Sequence, residues 1–471
     1  MALFAQVEID TVIRLSSYLR NGFFIPGLNG LYVLGEYEHY VVNCSTYQLQ
    51  TQYPRPEQMG TGLYAWNWRR GKLYISVNPG PEDSTLIADA DADSVIGWLT
   101  LKDGSFHLTY LSDVDRLYWN AVDTAYLFDC AADTVVRRIT SPLPAYHIGQ
   151  ASWDSVGRKL YVSLGYWMGP SLLAVYDYVA DSFTKTIDVS SVALGNERLV
   201  FDHARHRAFL GPSAMGGYVG IIDTEHDTLL RVLPSYVGDG TSGPIAVNER
   251  EGKAYIASNF NHPGSPETLW VVDCATDSIV KRIEYTHRGY GALCARWVPW
   301  SNRIYLGCQT DLNPSTPETS IVVLDCETDS IIARLVLGHE MLDDIQLDPI
   351  RERIFAIGID STNIYVLRDS GYGVAESKRS GPRPSGLQVQ IMAGWFDIRY
   401  SVAAPCRVDL AVYDLMGREV RRLVAERQPA GQHSVAWNSQ DLYGNRAARG
   451  VYFIRLDTPG FGDVKKAVVA R

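Results

Sequence analysis

The ten residues VVDCATDSIV at positions 271–280 decide the fold of this chain. They read as an apolar strand ending in an Asp, three intervening residues, a second Asp and another apolar strand. The phrase returns with its Asp pairs at Asp89/Asp93, Asp129/Asp133, Asp177/Asp181, Asp223/Asp227 and Asp325/Asp329, and in degenerate form at 41–44 and 365–368. Recurrence at a spacing of roughly 20–50 residues is typical of modular architectures. The phrase therefore predicts repeated structural units.

Each copy lies inside a unit that reads as four short strands. In the unit around Asp273, strands are expected at 244–247, 254–257, 269–272 and 279–283. Alternating apolar and polar residues bounded by Gly, Asp, Asn and Pro are typical of β-hairpins, and helical spacing is nearly absent. Four-stranded antiparallel units of this size are typical of the blades of a β-propeller.

Eight residues anchor the third strands of these units: Asn43, Asp89, Asp129, Asp177, Asp223, Asp273, Asp325 and Arg368. The last unit supplies only three strands, at 345–347, 354–357 and 364–367, and a strand at 6–15 can complete it. Such pairing removes exposed sheet edges. We predict an all-β fold: an eight-bladed β-propeller over residues 1–369, closed by an N-terminal strand, with seven blades as the alternative.

Two phrases resemble the YVTN-repeat propellers of the YncE-like family. They are VVDCATDSIV at 271–280 and WDSVGRKLYV at 153–162. The resemblance covers residues 5–370. It implies a propeller fold and a scaffold rather than a catalyst, because proteins of this kind are mostly non-enzymatic or uncharacterised.

A second module follows the repeats. Residues 370–386 are rich in Gly, Ser and Pro, which is typical of a linker. Strands are then expected at 387–392, 396–402, 407–414, 419–424, 432–437, 450–456 and 465–469. Seven short strands in a segment of this length predict a small immunoglobulin-like (Ig-like) β-sandwich over residues 387–471.

This second module resembles a known family more closely than the repeats do. The stretches VYDLMGREV (412–420), AG (430–431), VAW (435–437) and RGVYF (449–453) resemble the flagellar-hook-cap (FlgD-type) Ig-like module. The final KKAVVAR (465–471) is similar to C-terminal sorting domains of the type IX secretion kind. The resemblance implies secretion, surface attachment or assembly. One departure is the first strand, where MAGW (392–395) replaces the family's Asn-Pro-Phe-Asn-Pro.

Composition excludes some classes of function. The formal net charge is −10, which argues against binding to a nucleic-acid backbone. No run of about 18 apolar residues is present, so no membrane-spanning helix is expected. Residues 1–6 lack the charged region and apolar core of a signal peptide. The chain is then either cytosolic or a mature exported form, and we expect an extracellular or cell-surface protein.

The seven Cys do not form a disulfide framework. Four of them follow the anchor residue of the repeated phrase, at Cys44, Cys130, Cys274 and Cys326, and are expected to be small buried residues. Equivalent positions in successive modules lie too far apart for a sulfur–sulfur bond. Cys294 and Cys308, on adjoining strands of one hairpin, are the pair that could meet.

Catalytic signatures are missing from the sequence. It has no Gly-x-Ser-x-Gly elbow, no phosphate-binding Gly-x-x-x-x-Gly-Lys-Ser/Thr loop and no His-Glu-x-x-His helix. Residues 89–94 (DADADS) resemble the start of a calcium loop but lack its Gly and its distant Glu. The repeated Asp side chains are expected to accept N–H groups of their own turns. We expect no metal and no cofactor.

Aromatic and His side chains concentrate in the loops that should emerge on one face of a propeller. The candidate binding rim consists of Tyr146, His147, Tyr166, Trp167, Tyr236, Phe260, His262, Tyr285, His287, Arg288, Tyr290 and His339. Such loop residues carry no packing obligation, which favours a binding role. The alternative is that large aromatic residues cap the ends of the blades.

The sequence therefore favours a non-enzymatic exported protein. Its propeller would bind or display a partner, an unidentified protein or glycan, and its Ig-like module would serve secretion, surface attachment or self-assembly. The alternative is an extracellular polysaccharide or ester lyase or hydrolase that uses the rim, in which case replacing His147, His262 or His287 with Ala would abolish activity.

Overall fold

A computed structural model of the chain describes most of the 471 residues. The described ranges are 5–25, 29–36, 38–54, 64–67, 70–77, 83–89, 94–101, 107–121, 124–144, 146–165, 171–192, 199–211, 218–233, 243–258, 267–286, 291–309, 318–338, 340–349, 351–359, 361–372, 387–391, 395–402, 405–414, 419–441, 446–447, 450–458 and 461–469. Two compact units are formed. One contains residues 1–23, 31–346 and 354–372, and the other contains 24–30, 347–353 and 373–471.

The described residues are overwhelmingly β-strands, as the sequence predicts. A single 3₁₀ turn, His203–Arg205, interrupts them. Before the linker, the strands form eight antiparallel sheets of four strands each, an arrangement consistent with a β-propeller. The chain begins with β1 (Ala5–Arg14). Sheet 1 contains β2 (Leu19–Ile25), β3 (Gly30–Gly35), β4 (Glu38–Asn43) and β5 (Gln48–Pro54).

The next six sheets repeat this order of consecutive strands. Sheet 2 contains β6 (Tyr64–Asn67), β7 (Lys72–Val77), β8 (Asp83–Asp89) and β9 (Ser94–Leu101). Sheet 3 contains β10 (His107–Leu111), β11 (Arg116–Asn120), β12 (Thr124–Asp129) and β13 (Thr134–Thr140). Sheet 4 contains β14 (His147–Asp154), β15 (Lys159–Gly165), β16 (Leu172–Asp177) and β17 (Ser182–Asp188).

Sheet 5 contains β18 (Leu199–Asp202), β19 (Arg207–Leu210), β20 (Val219–Asp223) and β21 (Thr228–Leu233). Sheet 6 contains β22 (Ile245–Asn248), β23 (Lys253–Ala257), β24 (Glu267–Asp273) and β25 (Ser278–Thr286). Sheet 7 contains β26 (Gly291–Val298), β27 (Arg303–Gln309), β28 (Thr319–Asp325) and β29 (Ser330–Gly338).

Sheet 8 departs from this order. It contains β30 (Met341–Asp348), β31 (Arg353–Ile359) and β32 (Asn363–Tyr372), and its fourth strand is β1 from the start of the chain. β1 pairs antiparallel with β32, with Ile9 opposite Leu367 and Ile13 opposite Ile364. The N-terminal strand expected at residues 6–15 therefore does join the last unit.

The repeated phrase folds as a hairpin turn for local reasons. The first Asp of the copy at 271–280, Asp273, accepts backbone N–H groups from Ala275 at 2.9 Å and from Thr276 at 2.8 Å. The second Asp, Asp277, has a φ of +52°, the left-handed conformation that Asp and Asn adopt more readily than most residues. Directly after the turn, Val280 of β25 forms a β-bulge, because Val272 pairs with Ile279 and Val271 pairs with Lys281. The described Asp pairs of sheets 3, 4 and 5 repeat the turn.

The second strands of sheets 2, 4, 5, 6 and 7 are tied to the following sheet by ion pairs. Lys253, at the start of β23, donates from Nζ to Asp329 at 2.9 Å and to the carbonyl of Cys326 at 2.7 Å. Tyr255, two residues later, also donates to Asp329. The equivalent pairs are Lys72–Asp133, Lys159–Asp227, Arg207–Asp277 and Arg303–Asp369. The second Asp of the phrase thus serves as an acceptor for the preceding sheet.

Apolar clusters fill the spaces between neighbouring sheets. One cluster joins Tyr255 and Leu269 of sheet 6 to Ile304 and Leu306 of sheet 7. Similar clusters join sheets 2 and 3, 3 and 4, 4 and 5, and 5 and 6. Sheets 2 to 7 therefore bury apolar residues against their neighbours, as stacked modules with a continuous core do.

The C-terminal module has all seven expected strands. One sheet contains β33 (Gln388–Ile391), β34 (Phe396–Val402) and β37 (Gly431–Trp437), and the other contains β35 (Cys406–Tyr413), β36 (Glu419–Gln428), β38 (Gly450–Thr458) and β39 (Phe461–Val469). Trp437 is buried at the centre, stacked 5.2 Å from the ring of Phe396 and edge-on to Tyr452. Its indole N–H donates to the carbonyl of Gln440 at 2.8 Å.

Candidate functional site

Three residues of the candidate rim lie within the described part of the chain: Tyr146, His147 and Tyr285. The other nine, Tyr166, Trp167, Tyr236, Phe260, His262, His287, Arg288, Tyr290 and His339, lie outside the described residues. His147 is exposed at the first position of β14, and Tyr146 is half-buried against the cluster between sheets 3 and 4. His147 is thus on the surface, whereas Tyr146 packs partly against the core.

Tyr285 does not lie on an exposed rim. The fourth strand of sheet 6 runs to Thr286 rather than ending at residue 283, so Tyr285 belongs to the strand and its ring is buried. Its hydroxyl donates to the carbonyl of Ser258 at 2.5 Å and accepts the N–H of Ala292 at 2.9 Å. Burial raises the pKa of this phenol well above its ordinary value. Tyr285 thus connects sheets 6 and 7 from inside the core.

Tyr285 belongs to a buried polar cluster at the end of sheets 6 to 8 where the rim loops attach. Ser258 donates from Oγ to the carboxylate of Glu267 at 2.5 Å and accepts the N–H of Thr268 at 2.8 Å. Glu267 is almost completely buried although it is ionisable. A buried carboxylate is tolerated only with hydrogen-bond donors around it. The cluster therefore holds the ends of the strands from which the 259–266 loop departs.

The same layer continues into sheets 7 and 8. Thr319 donates to the carbonyl of Glu340, and the Glu340 carboxylate accepts from Asn363 and, at 3.1 Å, from the hydroxyl of Tyr365. Tyr365 also donates to the carbonyl of Leu337 at 3.0 Å. We call the set Ser258, Glu267, Tyr285, Thr319, Glu340, Asn363 and Tyr365 the loop-end cluster. It lies at strand ends next to residues 259–266, 287–290 and 339, which include six of the predicted rim residues.

A second polar group lies on the first strands of sheets 7, 8 and 1. The carboxylate of Asp344 on β30 accepts the N–H of Gly22 at 3.2 Å and the side-chain amide of Gln346 at 2.8 Å. Burial raises the pKa of Asp344, although these hydrogen bonds and the charge of Arg296 on β26 favour the ionised form. A carboxylate held in this way can bind a hydrogen-bond donor or a cation.

The sequence contained a weak signal for this second group. Positions on the first strands equivalent to Arg296 and Gln346 hold small residues in other sheets, such as Ala65, Ser152 and Ala246. The large polar side chains of Arg296 and Gln346 therefore break the repeat at these positions. Both residues lie within strands, so the composition of the loops gives no sign of them.

No group of three or more His, Cys, Asp or Glu in the described ranges is arranged to hold a metal ion. The DADADS stretch falls partly outside those ranges, since residues 90–93 are not described. His107 is buried, and its Nε2 lies 3.1 Å from the carbonyl of Ala151 and 2.9 Å from the hydroxyl of Thr109. Its contacts are those of a core residue.

The cysteines are all free thiols. Cys294 and Cys308 do not pair, because a bulge in β26 places Cys294 opposite Gly307. The Cys294 thiol points to the carbonyl of Leu342 in sheet 8, and the Cys308 thiol points to the carbonyl of Leu306. Cys44, Cys130, Cys274 and Cys326 are buried as expected.

Comparison with known families identifies one part of the chain. The family model described as FlgD Ig-like domain matches residues 394–458, which agrees with the expected identity of the C-terminal module. A search of curated proteins gives no match to the chain. In the described residues, no helix is long and apolar enough to cross a membrane.

Proposed function

We propose that this chain is a non-enzymatic exported or cell-surface protein. Its repeat region, of the YVTN (YncE-like) kind, is an eight-bladed β-propeller that binds or displays a protein or glycan partner on the face carrying the rim loops. Its Ig-like module directs secretion, surface attachment or assembly. The observation that carries this proposal is the commitment of the repeated carboxylates to turns and inter-sheet ion pairs, which leaves them no catalytic task.

Contacts between first strands support the ring. β6 contacts β10, β10 contacts β14, β14 contacts β18, β18 contacts β22, and β22 contacts β26. The pairing of β1 with β32 supplies the fourth strand of sheet 8 from the other end of the chain. A ring of eight sheets joined in this way leaves no unfinished sheet at either end. Such a scaffold positions loops rigidly on its faces, where binding residues concentrate.

The loop-end cluster supports the choice of face. The buried Glu267 and the half-buried Glu340 are hydrogen-bonded at strand ends next to the segments that contain Phe260, His262 and His339. A rigid base reduces the entropy that the loops lose on binding a partner. The exposed His147 at the start of β14 extends the same face to sheet 4.

Removal of the Ig-like module tests the proposal directly. The chain truncated after residue 386 should keep the far-ultraviolet circular dichroism of a folded β-protein but no longer be exported or retained at the surface of its native host. A second variant, Trp437→Ala, should unfold the module by removing the ring at the centre of its core, and it should lose export in the same way. Unchanged localisation of both chains would count decisively against the proposal.

A further inference from the structure

The outermost strands of sheets 3 to 6 carry a cation at one equivalent position. Arg137, Lys185, Arg231 and Lys281 occupy this position, each opposite the residue two before the first Asp of the phrase. Arg137 pairs with Asp181, and the other three donate to carbonyls of the turn in the next sheet. Charges on an edge strand also prevent it from pairing with another chain.

The outermost strand of sheet 2 lacks this protection. β9 reads SVIGWLTL and contains no charged residue. Gly97 stands where sheets 3 to 6 have the cation, and Trp98 stands where sheets 3, 6 and 7 have an Arg. Val95, Ile96 and Trp98 are 43%, 51% and 48% exposed. Among the strands that the structure describes, β9 pairs with β8 alone, so its other edge is available.

We propose that β9 is a self-association edge, through which two copies of this chain pair β9 with β9 in antiparallel orientation. The two sheets 2 then form one continuous eight-stranded sheet across a two-fold axis. The other uncharged outer strand, β5, reads QLQTQYP and keeps polar Gln side chains along its length. The centre of β9 has no such polar residues, so β9 is more apolar than the other uncharged outer strand.

The sequence of β9 is complementary to itself. With Gly97 on the two-fold axis, Ile96 lies opposite Trp98 of the partner subunit, and this aromatic–β-branched pair occurs twice. A two-fold interface requires each patch to match its own copy, which a strand with a central Arg cannot do because like charges would face each other. The strand therefore selects a second copy of the same chain over an unrelated charged segment.

Mass measurement in solution tests the proposal with the full chain. Multi-angle light scattering should show twice the 52.5 kDa chain mass at concentrations on the order of 100 µM, where an interface of this small size is populated. Trp98→Arg should raise the dimer dissociation constant by about tenfold or more. This substitution is compatible with the fold, because Arg138, Arg282 and Arg334 occupy the same position in other sheets. Ile96→Lys should have the same effect.

Val280→Lys on β25 is the matched control, since Val280 sits at the bulge position equivalent to Ile96 and is 55% exposed. It should leave the dimer unchanged. An equimolar mixture of Ile96→Lys and Trp98→Glu chains should restore dimers through a Lys–Glu pair across the axis. A monomeric native chain, a dimer that survives Trp98→Arg and Ile96→Lys, or failure of the mixture to associate would each overturn the proposal.

Discussion

Replacing Asp369 with Asn should destabilise the repeat region far more than the same change at an equivalent exposed Asp. Arg303 on β27 and Asp369 on β32 form an ion pair in which both side chains are 0% exposed. Asp369 also accepts the hydroxyl of Tyr305 at 2.6 Å. Asn keeps the shape but removes the negative charge, and it leaves the Arg303 guanidinium buried without its counter-charge. Removing one partner of such a pair costs about 3–5 kcal/mol.

The chain provides its own control for this prediction. Asp133 forms an ion pair with Lys72 at the equivalent place between sheets 2 and 3, but the Asp133 side chain is 40% exposed. Water can solvate the lysine when that carboxylate is lost, so Asp133→Asn should cost about 0–1 kcal/mol. A difference of 3 kcal/mol between the two variants corresponds to a factor of about one hundred in the unfolding equilibrium.

Urea unfolding followed by tryptophan fluorescence measures both variants, with the free energy taken from linear extrapolation. A double variant, Arg303→Met with Asp369→Leu, should recover most of the loss, because two apolar side chains leave no buried charge behind. The reasoning is refuted if Asp369→Asn loses less than about 1 kcal/mol, the cost expected of an exposed pair. It is also refuted if the double variant is no more stable than Asp369→Asn alone.

Three further predictions follow from the core. Burial raises the pKa of Asp344, so the folded state keeps this proton to higher pH than the unfolded state does, and the stability that the protonated carboxyl contributes is lost as pH rises through the folded pKa. Asp344→Asn should therefore raise the free energy of unfolding at pH 7, by an amount that shrinks toward pH 4. Urea unfolding at both pH values measures this, and a variant that is less stable at pH 7 contradicts it. A Cβ on Gly307 would lie 2.5 Å from the Cys294 sulfur, whereas one on Gly165 would meet nothing within 4 Å. Gly307→Ala should therefore cost about 1–3 kcal/mol of stability and Gly165→Ala less than about 0.5 kcal/mol. Adding Cys294→Ala to Gly307→Ala should restore stability, and equal effects of the two glycine changes would contradict the reasoning. Tyr285→Phe removes the partner of one buried carbonyl and one buried N–H, so thermal unfolding should show a loss of about 1–3 kcal/mol, and an unchanged midpoint contradicts it.

Much of the fold could be predicted from the sequence because its causes are local. A turn Asp such as Asp273 accepts N–H groups two and three residues ahead, so the repeated spacing carries the hairpin by itself. The pairing of β1 with β32 could be predicted for a different reason. The last unit lacked a strand, and residues 6–15 were the remaining strand-like segment.

The candidate site could be predicted less well, because its determinants are long-range. The sequence predicts that the strand ends at residue 283, which places Tyr285 in a loop. In the structure its ring is buried, and its hydroxyl forms hydrogen bonds with the backbone of Ser258 and Ala292. The environment of Asp344 comes partly from Gln346, two residues away, but also from Gly22, which is 322 residues away in sequence and cannot be recognised from a local pattern.

The two Asp residues of the phrase have separate tasks, and sheet 8 shows this most clearly. In the five copies from Asp129 to Asp329, the first Asp shapes the turn and the second receives an ion pair from the preceding sheet, as Asp277 does from Arg207. In sheet 8 no hairpin turn joins the third strand to the fourth, since the fourth strand is β1 from the start of the chain. It nevertheless supplies an acceptor, Asp369, for Arg303 of sheet 7. The acceptor persists without the turn, so contact between sheets, more than hairpin formation, explains why an acidic residue is needed there.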